Sequence, residues 1–131
     1  MKFKYKTVKT LEERKQEYRE IKQKNQNKIA IICEKDPRSK IVDIQKSKFL
    51  IEKDFTFPQF STIIRKKLKL KESDALFFLA NGKVSLSGND TMNDIYKNHA
   101  DEDGFLYLAY SSEEIFGNLN KLIPPIRFYD K

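Results

Sequence analysis

The most restrictive stretch of the chain is Lys28-Ile29-Ala30-Ile31-Ile32-Cys33-Glu34, which is apolar on both of its alternating sets, Ile29/Ile31/Cys33 and Ala30/Ile32. Successive side chains of an extended strand point to opposite faces, so a strand of this composition is covered on both sides. Something must therefore pack on each face of the sheet that holds it.

Two helices are signalled, one before this strand and one after. Thr10-Leu11-Glu12-Glu13 reads as a capping box, with the threonine oxygen accepting from the backbone N–H of Glu13 and the Glu13 carboxylate reaching back to Thr10. Leu11, Tyr18 and Ile21 then share one narrow stripe, and Asn25-Gln26-Asn27 ends the pattern. A narrow stripe predicts a helix that packs on a domain rather than inside one. Residues 2–8 form a short helix or coil expected beside it. The second helix has Thr56 as N-cap, Gln59 completing another capping box, and Phe55 and Phe60 placed for a hydrophobic staple. Phe57, Phe60, Ile63, Ile64 and Leu68 make its buried stripe, and Arg65, Lys66, Lys67 and Lys69 crowd the end where the helix dipole favours cations.

The remaining elements are shorter. Asp36-Pro37-Arg38-Ser39 is turn chemistry, and Lys48-Phe49-Leu50-Ile51 reads as a second strand whose charged outer residues suit a sheet edge. Residues 76–79 and 83–86 are predicted strands joined through Asn81-Gly82, a strong hairpin signal. Asn89 or Asp90 is expected to cap a short helix carrying Met92, Ile95 and Tyr96, and Gly104 opens a last strand. A chain of 131 residues with 39% hydrophobic content fits one domain with a real core.

Composition narrows the function classes. No apolar run approaches the ~18 residues of a membrane span, and the N-terminus has no apolar segment that marks secretion, so a cytoplasmic protein is expected. The lone Cys33 and lone His99 offer neither a disulfide nor a zinc set, and no cofactor is expected. Gly82, Gly88, Gly104 and Gly117 are too isolated for a phosphate-cradling loop, and residues 101–104 lack the spacing of a calcium loop. The net charge of +7 raises the question of nucleic acid. Residues 1–28 hold ten Lys or Arg against four Glu, for +6, and residues 29–131 hold sixteen against fifteen acids, for +1. The excess sits in one N-terminal segment, and no nucleic-acid partner is expected.

The element order, with one central helix crossing a mixed sheet, is that of a β-grasp fold. Residues 28–35 (KIAIICEK), 46–51 (KSKFLI), 60–68 (FSTIIRKKL) and 103–117 (DGFLYLAYSSEEIFG) resemble, in order and spacing, the autophagy ubiquitin-like modifiers of the GABARAP type. The resemblance covers nearly all of residues 1–117 and includes the two-helix N-terminal extension. It implies an α+β fold in four parts: a helical extension at 1–27, a ubiquitin-like domain at 28–111, a flexible arm at 112–117 and a removable propeptide at 118–131.

The resemblance also implies sites. An edge strand offers unpaired N–H and C=O groups to an added peptide, and the family takes aromatic-x-x-aliphatic peptides with acidic flanks in that way. Its aromatic pocket falls here on Glu17, Ile21, Ala30, Ile32, Lys48, Leu50 and Phe105, and its second pocket on Phe49, Ile51, Phe55, Phe60 and Ile63. Lys28, Lys46, Lys48, Arg65 and Lys67 are placed to attract the acidic flank. The bland reading of the apolar members is ordinary core. Lys28 replaces the family's usual Arg, Ala30 and Glu52 its usual Pro, and Phe49 its common Tyr, which predicts a narrower or shifted peptide choice.

Phe116-Gly117 ends the matched region. The resemblance implies cleavage after Gly117 by a cysteine protease, then transfer by ubiquitin-like activating and conjugating enzymes to phosphatidylethanolamine, giving a lipoprotein on autophagosomal membranes. Cargo receptors would be its partners. Without a nucleophile, base and orienter, the chain reads as a substrate of enzymes rather than as one. The alternative is a β-grasp adaptor that is never conjugated. Residues 113–119 themselves carry acids before an aromatic-x-x-aliphatic run and could occupy a neighbour's groove.

Overall fold

In a computed structural model that describes residues 1–114, the doubly apolar strand is β1 (Lys28–Lys35), and it lies between two others. On one side β2 (Lys48–Glu52) pairs antiparallel to it, placing Ala30 opposite Leu50. On the other side β5 (Leu106–Ser111) runs parallel, placing Ile31 opposite Leu106. Strands β3 (Phe77–Ala80) and β4 (Val84–Ser85) complete the order β2-β1-β5-β3-β4. The sheet is mixed, and β2 is an outermost strand, as its charged exposed residues predict.

Each face of the sheet has its own core. Ile29, Ile31 and Cys33 turn to one side with Leu106, Leu108, Tyr110, Phe78 and Ala80. There they meet Phe60, Ile64 and Leu68 of α3 (Phe57–Leu68) and Met92 and Ile95 of α4 (Met92–His99). Ala30 and Ile32 turn to the other side with Phe105, Tyr107, Ala109 and Leu79, where Phe3 and Tyr5 cover them together with half-buried Tyr18 and Ile21. The two-sided cover expected from the sequence is thus supplied by α3 and α4 on one face and by the N-terminal helices, α1 (Lys4–Val8) and α2 (Leu11–Lys24), on the other.

Local signals account for the helix ends. Both capping boxes form: the Thr10 hydroxyl accepts from Glu13 N (3.2 Å) while Glu13 accepts from Thr10 N (2.8 Å), and Thr56 and Gln59 repeat the exchange at α3. Helix α3 ends with Lys69 left-handed at φ 57°, Leu70 N donating to Arg65 O and Lys69 N to Lys66 O, the paired closure of a Schellman motif. Asn81 and Gly82 take φ 56° and 72° and Lys83 N bonds Ala80 O at 2.9 Å, as a type I′ hairpin requires. The cap of α4 is Thr91, not Asn89 or Asp90: its hydroxyl accepts from Asp94 N at 3.1 Å. Asp90 is occupied otherwise, its carbonyl accepting from Phe57 N.

Helix α1 does not pack merely beside α2. It lies on the sheet, and having no capping side chain of its own it takes one from β1: the Glu34 carboxylate accepts from Lys4 N (2.7 Å) and Tyr5 N (3.1 Å). Helix α2 is anchored by Arg14, whose guanidinium reaches buried Asp103 at 2.8 Å. Asp103 also accepts from Phe105 N (2.8 Å) and from the Tyr107 hydroxyl (2.5 Å). Burial, and then the bond to Asp103, push the Tyr107 phenol far up.

Gly104 lets α2 approach β5. Its φ is 102°, and a Cβ there would stand 2.4 Å from the Tyr18 ring. That ring packs edge-on against Phe105 at 5.6 Å. Tyr96 gives its hydroxyl proton to Gly104 O (2.7 Å), so Tyr18 donates to Tyr96 (2.9 Å). Gly104→Ala is expected to cost about 2–4 kcal/mol, from left-handed strain plus overpacking. In a Tyr18→Ala background only the backbone part, about 1 kcal/mol, should remain. Urea denaturation of the four proteins measures this, and an equal cost in both backgrounds would remove Tyr18 as the obstacle.

Candidate functional site

The outer edge of β2 carries no partner strand among the described residues, so its N–H and C=O groups face outward. Alternation along the strand sends Lys48 and Leu50 toward the α2 side and Phe49 and Ile51 toward α3. Leu50 is 41% exposed. The first group of expected pocket residues gathers along the seam between α2 and the paired strands β1 and β2. Ala30 and Ile32 are buried on β1 directly opposite exposed Leu50 and Lys48 on β2, Phe105 is buried just before β5 on the other side of β1, and Ile21 is half-buried.

Glu17 and Lys48 meet as an ion pair that joins α2 to β2 across this seam. Glu17 also accepts from Lys9 at 2.8 Å and from the Tyr5 hydroxyl, and the Lys48 ammonium stands 5.1 Å above the Tyr5 ring. Burial works against the charged Glu17, but hydrogen bonds from Lys48, Lys9 and Tyr5 outweigh it and hold the carboxyl down at about 2. Tyr5 is 7% exposed and packs edge-on against Phe105 at 5.3 Å. Tyr5 and Lys9 are members of this cluster that sequence reasoning missed. Their partner Glu17 lies eight and more residues away, on a different helix, and no local periodicity marks the contact.

The second group divides into surface and support. Phe49, Phe55 and Ile63 are half-buried between β2 and α3, whereas Ile51 is buried and Phe60 fully so. Phe60 supports Phe49 edge-on at 6.1 Å and also packs on Phe78 at 5.6 Å. It therefore belongs to the core beneath this surface. The candidate flank cations differ in availability. Lys46 and Lys67 are exposed. Lys28 faces Glu52 across the β1–β2 ladder at 3.9 Å, and Arg65 donates to Asp74 O at 2.8 Å. The charge that Glu52 brings to the edge is thus shared with Lys28.

At the far end of β5 the chain is held as it leaves the sheet. Asp36 N bonds Tyr110 O (2.8 Å), the Tyr110 hydroxyl donates to Val42 O (2.7 Å), and Ser112 N donates to Ser39 Oγ (3.1 Å). Phe116, Gly117 and residues 118–131 lie outside the described residues.

A mixed five-stranded sheet with a central helix on one face, covered on the other by two N-terminal helices, defines a ubiquitin-like protein with a helical extension. Residues 13–117 match the family model described as "Autophagy protein Atg8 ubiquitin like". The crystal structure of Trypanosoma brucei ATG8 superposes with a TM-score of 0.80 at 37% identity, over 85% of this chain and 95% of that one. The chain belongs to the Atg8 family of ubiquitin-like autophagy proteins.

Because the folded Glu17 carboxyl sits below its ordinary 4.5, it stabilises the fold above that value, and the contribution is lost as pH falls from about 4.5 toward 2. The stability difference between the wild-type chain and Glu17→Gln is therefore expected to be constant near neutrality and to shrink across that window. Thermal unfolding of both proteins at several pH values measures it. A difference that persists unchanged at pH 2 would show that the carboxylate charge is not its source.

Proposed function

We propose that this chain is a lipid-conjugated modifier of autophagy that recruits cargo receptors through the β2 edge. The observation that carries the recruiting half is the exposure of Leu50 and Lys48 on an edge strand with no outer partner among the described residues, directly opposite buried Ala30 and Ile32 of β1. An extended peptide adds to β2 by backbone hydrogen bonds, with its aromatic residue entering beside Leu50 and its aliphatic residue resting on Phe49, Phe55 and Ile63. Ile51 and Phe60 support that second surface from below. Acidic residues of the peptide compete with Glu17 for Lys48 and meet Lys46 and Lys67. Glu52, held near Lys28, disfavours acids at the other end of the edge, which supports a restricted choice of peptides.

Conjugation rests on Gly117. A residue without Cβ passes through narrow enzyme channels; a cysteine protease cuts after it, and activating and conjugating enzymes transfer its carboxylate to phosphatidylethanolamine. No helix among the described residues is long and apolar enough to cross a membrane. A two-chain lipid provides the two hydrophobic anchors that stable residence on autophagosomal membranes requires. The protein is then a substrate of that machinery and not itself an enzyme.

Lys48→Ala and Leu50→Ala are each expected to weaken a labelled aromatic-x-x-aliphatic peptide about tenfold, the loss of one charge-assisted bond or one apolar contact. Fluorescence titration reads this directly, and unchanged affinity in both variants would reject the edge as the binding surface. Gly117→Ala should abolish membrane attachment in cells while leaving peptide affinity intact. Intact mass should show a lipidated product ending at Gly117. Membrane attachment of a chain that retains residues 118–131 would favour the unconjugated adaptor instead.

A further inference from the structure

A groove at the C-terminal half of α2 carries a charge pattern that peptide recruitment does not use. It is a shallow, open groove lined by Tyr18, Arg19, Lys22, Gln23, Gln26 and Lys53. Three of these six residues are cations, two are primary amides and none is a carboxylate. The ion pairs formed among the described residues involve none of Arg19, Lys22 and Lys53.

Lys22 has a partial structural explanation. Its ammonium donates to Gln26 O (2.8 Å) and reaches Lys28 O (3.4 Å), and so closes the end of α2. Arg19 and Lys53 have no such role. Arg19 uses one nitrogen on Gln16 Oε1 at 2.8 Å, leaving other donors of its fork available. Lys53 enters from the turn after β2, whose backbone is fixed by Lys53 N on Asn27 O and Asn93 N on Lys53 O. Burial first, and then the charge of Lys53, lower the Lys22 pKa, so the two ammonium groups repel each other across the groove. Glu52, the nearest acid on β2 in sequence, sits 3.9 Å from Lys28.

Cations gathered on a fixed backbone beside amide donors, with no ion-pair partner among the described residues, match a multiply charged oxyanion. We propose that this groove binds a ligand bearing phosphate monoesters, with Arg19 giving a forked contact, Lys22 and Lys53 supplying point charges, and Gln23 donating from its amide. A soluble inositol polyphosphate and a phosphoinositide headgroup share that chemistry. The groove lies where β1 begins and β2 ends, since Lys28 pairs Glu52. The parallel strand β5 delivers the C-terminal arm at the opposite end, where Lys35 pairs Tyr110. A ligand here therefore binds at the end of the sheet away from the arm, and leaves the β2 edge open.

The test is calorimetric titration of inositol hexakisphosphate into the full chain at physiological salt. Two variants accompany it: Arg19→Gln/Lys53→Gln, and a control, Lys66→Gln/Lys71→Gln, that removes the same charge from exposed positions elsewhere. Saturable one-site binding is expected, weakened at least about tenfold in the first variant and less than about twofold in the control. Circular dichroism and unchanged binding of the aromatic-x-x-aliphatic peptide confirm that the first variant is folded. Absence of saturable binding to the unaltered chain, or equal losses in both variants, overturns the proposal, because net charge alone would then account for the signal. Flotation with phosphatidylcholine vesicles carrying a phosphatidylinositol bisphosphate separates the sources. Retention that depends on Arg19 and Lys53 assigns the site to the lipid headgroup, and binding of the soluble compound alone assigns it to the free ligand.

Discussion

The buried carboxylate of Asp103 is the interaction on which the extension side of the molecule depends. It has no exposed surface as a side chain and satisfies three donors at once: the Arg14 guanidinium, the Tyr107 hydroxyl and the Phe105 backbone N–H. A charge removed from water at this depth is tolerated only when it is paired and hydrogen-bonded. Those partners sit on two elements, so satisfying Asp103 also fixes where α2 lies on β5. Tyr18 can then occupy the space that Gly104 leaves, and Glu17 is carried one residue earlier on the same helix to the side facing β2. The position of the candidate peptide surface is thus a consequence of polar satisfaction one turn earlier on α2, since Arg14 and Glu17 lie three residues apart on neighbouring positions of the helix.

The cover of the second sheet face shows how a small helix can be held where its own sequence gives little support. Five residues form α1, too few for stability in isolation. Its burial of Tyr5 and neighbouring Phe3 against Phe105 and Tyr107 supplies the apolar contribution, and Glu34 satisfies N–H groups that would otherwise be orphaned. Lys6 adds an ion pair with Asp101 at 2.6 Å and lies 4.5 Å over the Tyr107 ring. Cations of the helical extension thus differ in their surroundings. Lys6, Lys9 and Arg14 pair with acids of the fold, while Arg19 and Lys22, joined at the groove by Lys53 from the turn after β2, form no ion pair among the described residues.

Features decided by neighbours in sequence are legible from the order of residues alone. The capping boxes at Thr10 and Thr56, the Asn81-Gly82 turn and the two-sided pattern of residues 29–33 each state their conformation within a few residues. Capping at α4 shows the limit of such reading. Asn89, Asp90 and Thr91 are all competent caps by composition, and the choice of Thr91 is made by the contact that ties the Asp90 carbonyl to Phe57 N. Arg14 is illegible for a different reason: nothing in a polar helix says which cation turns inward, because its carboxylate partner is 89 residues away. Tyr5 and Lys9 on Glu17 are the same case at shorter range. Of the pocket residues, the exposure of Leu50 against the burial of Phe60 is likewise set by which elements pack above each position, and alternation alone assigns only the face.

The two faces of the sheet therefore have different physical characters. On the α3 side the cover is apolar and continuous, and Phe60 is locked by Phe49 and Phe78. On the α2 side the cover is attached through charged and phenolic groups, with Lys48, Glu17 and Tyr5 clustered where helix meets edge strand. Ion pairs with solvent access exchange partners at little cost, whereas a packed apolar interface opens only by creating a cavity. Under the proposed reading, a peptide arriving at β2 would meet one wall that is rigid and another that can rearrange by trading Glu17 for an acid of the ligand. In that reading, selectivity for the aliphatic residue would follow from the first wall, and tolerance in how the aromatic residue is seated from the second.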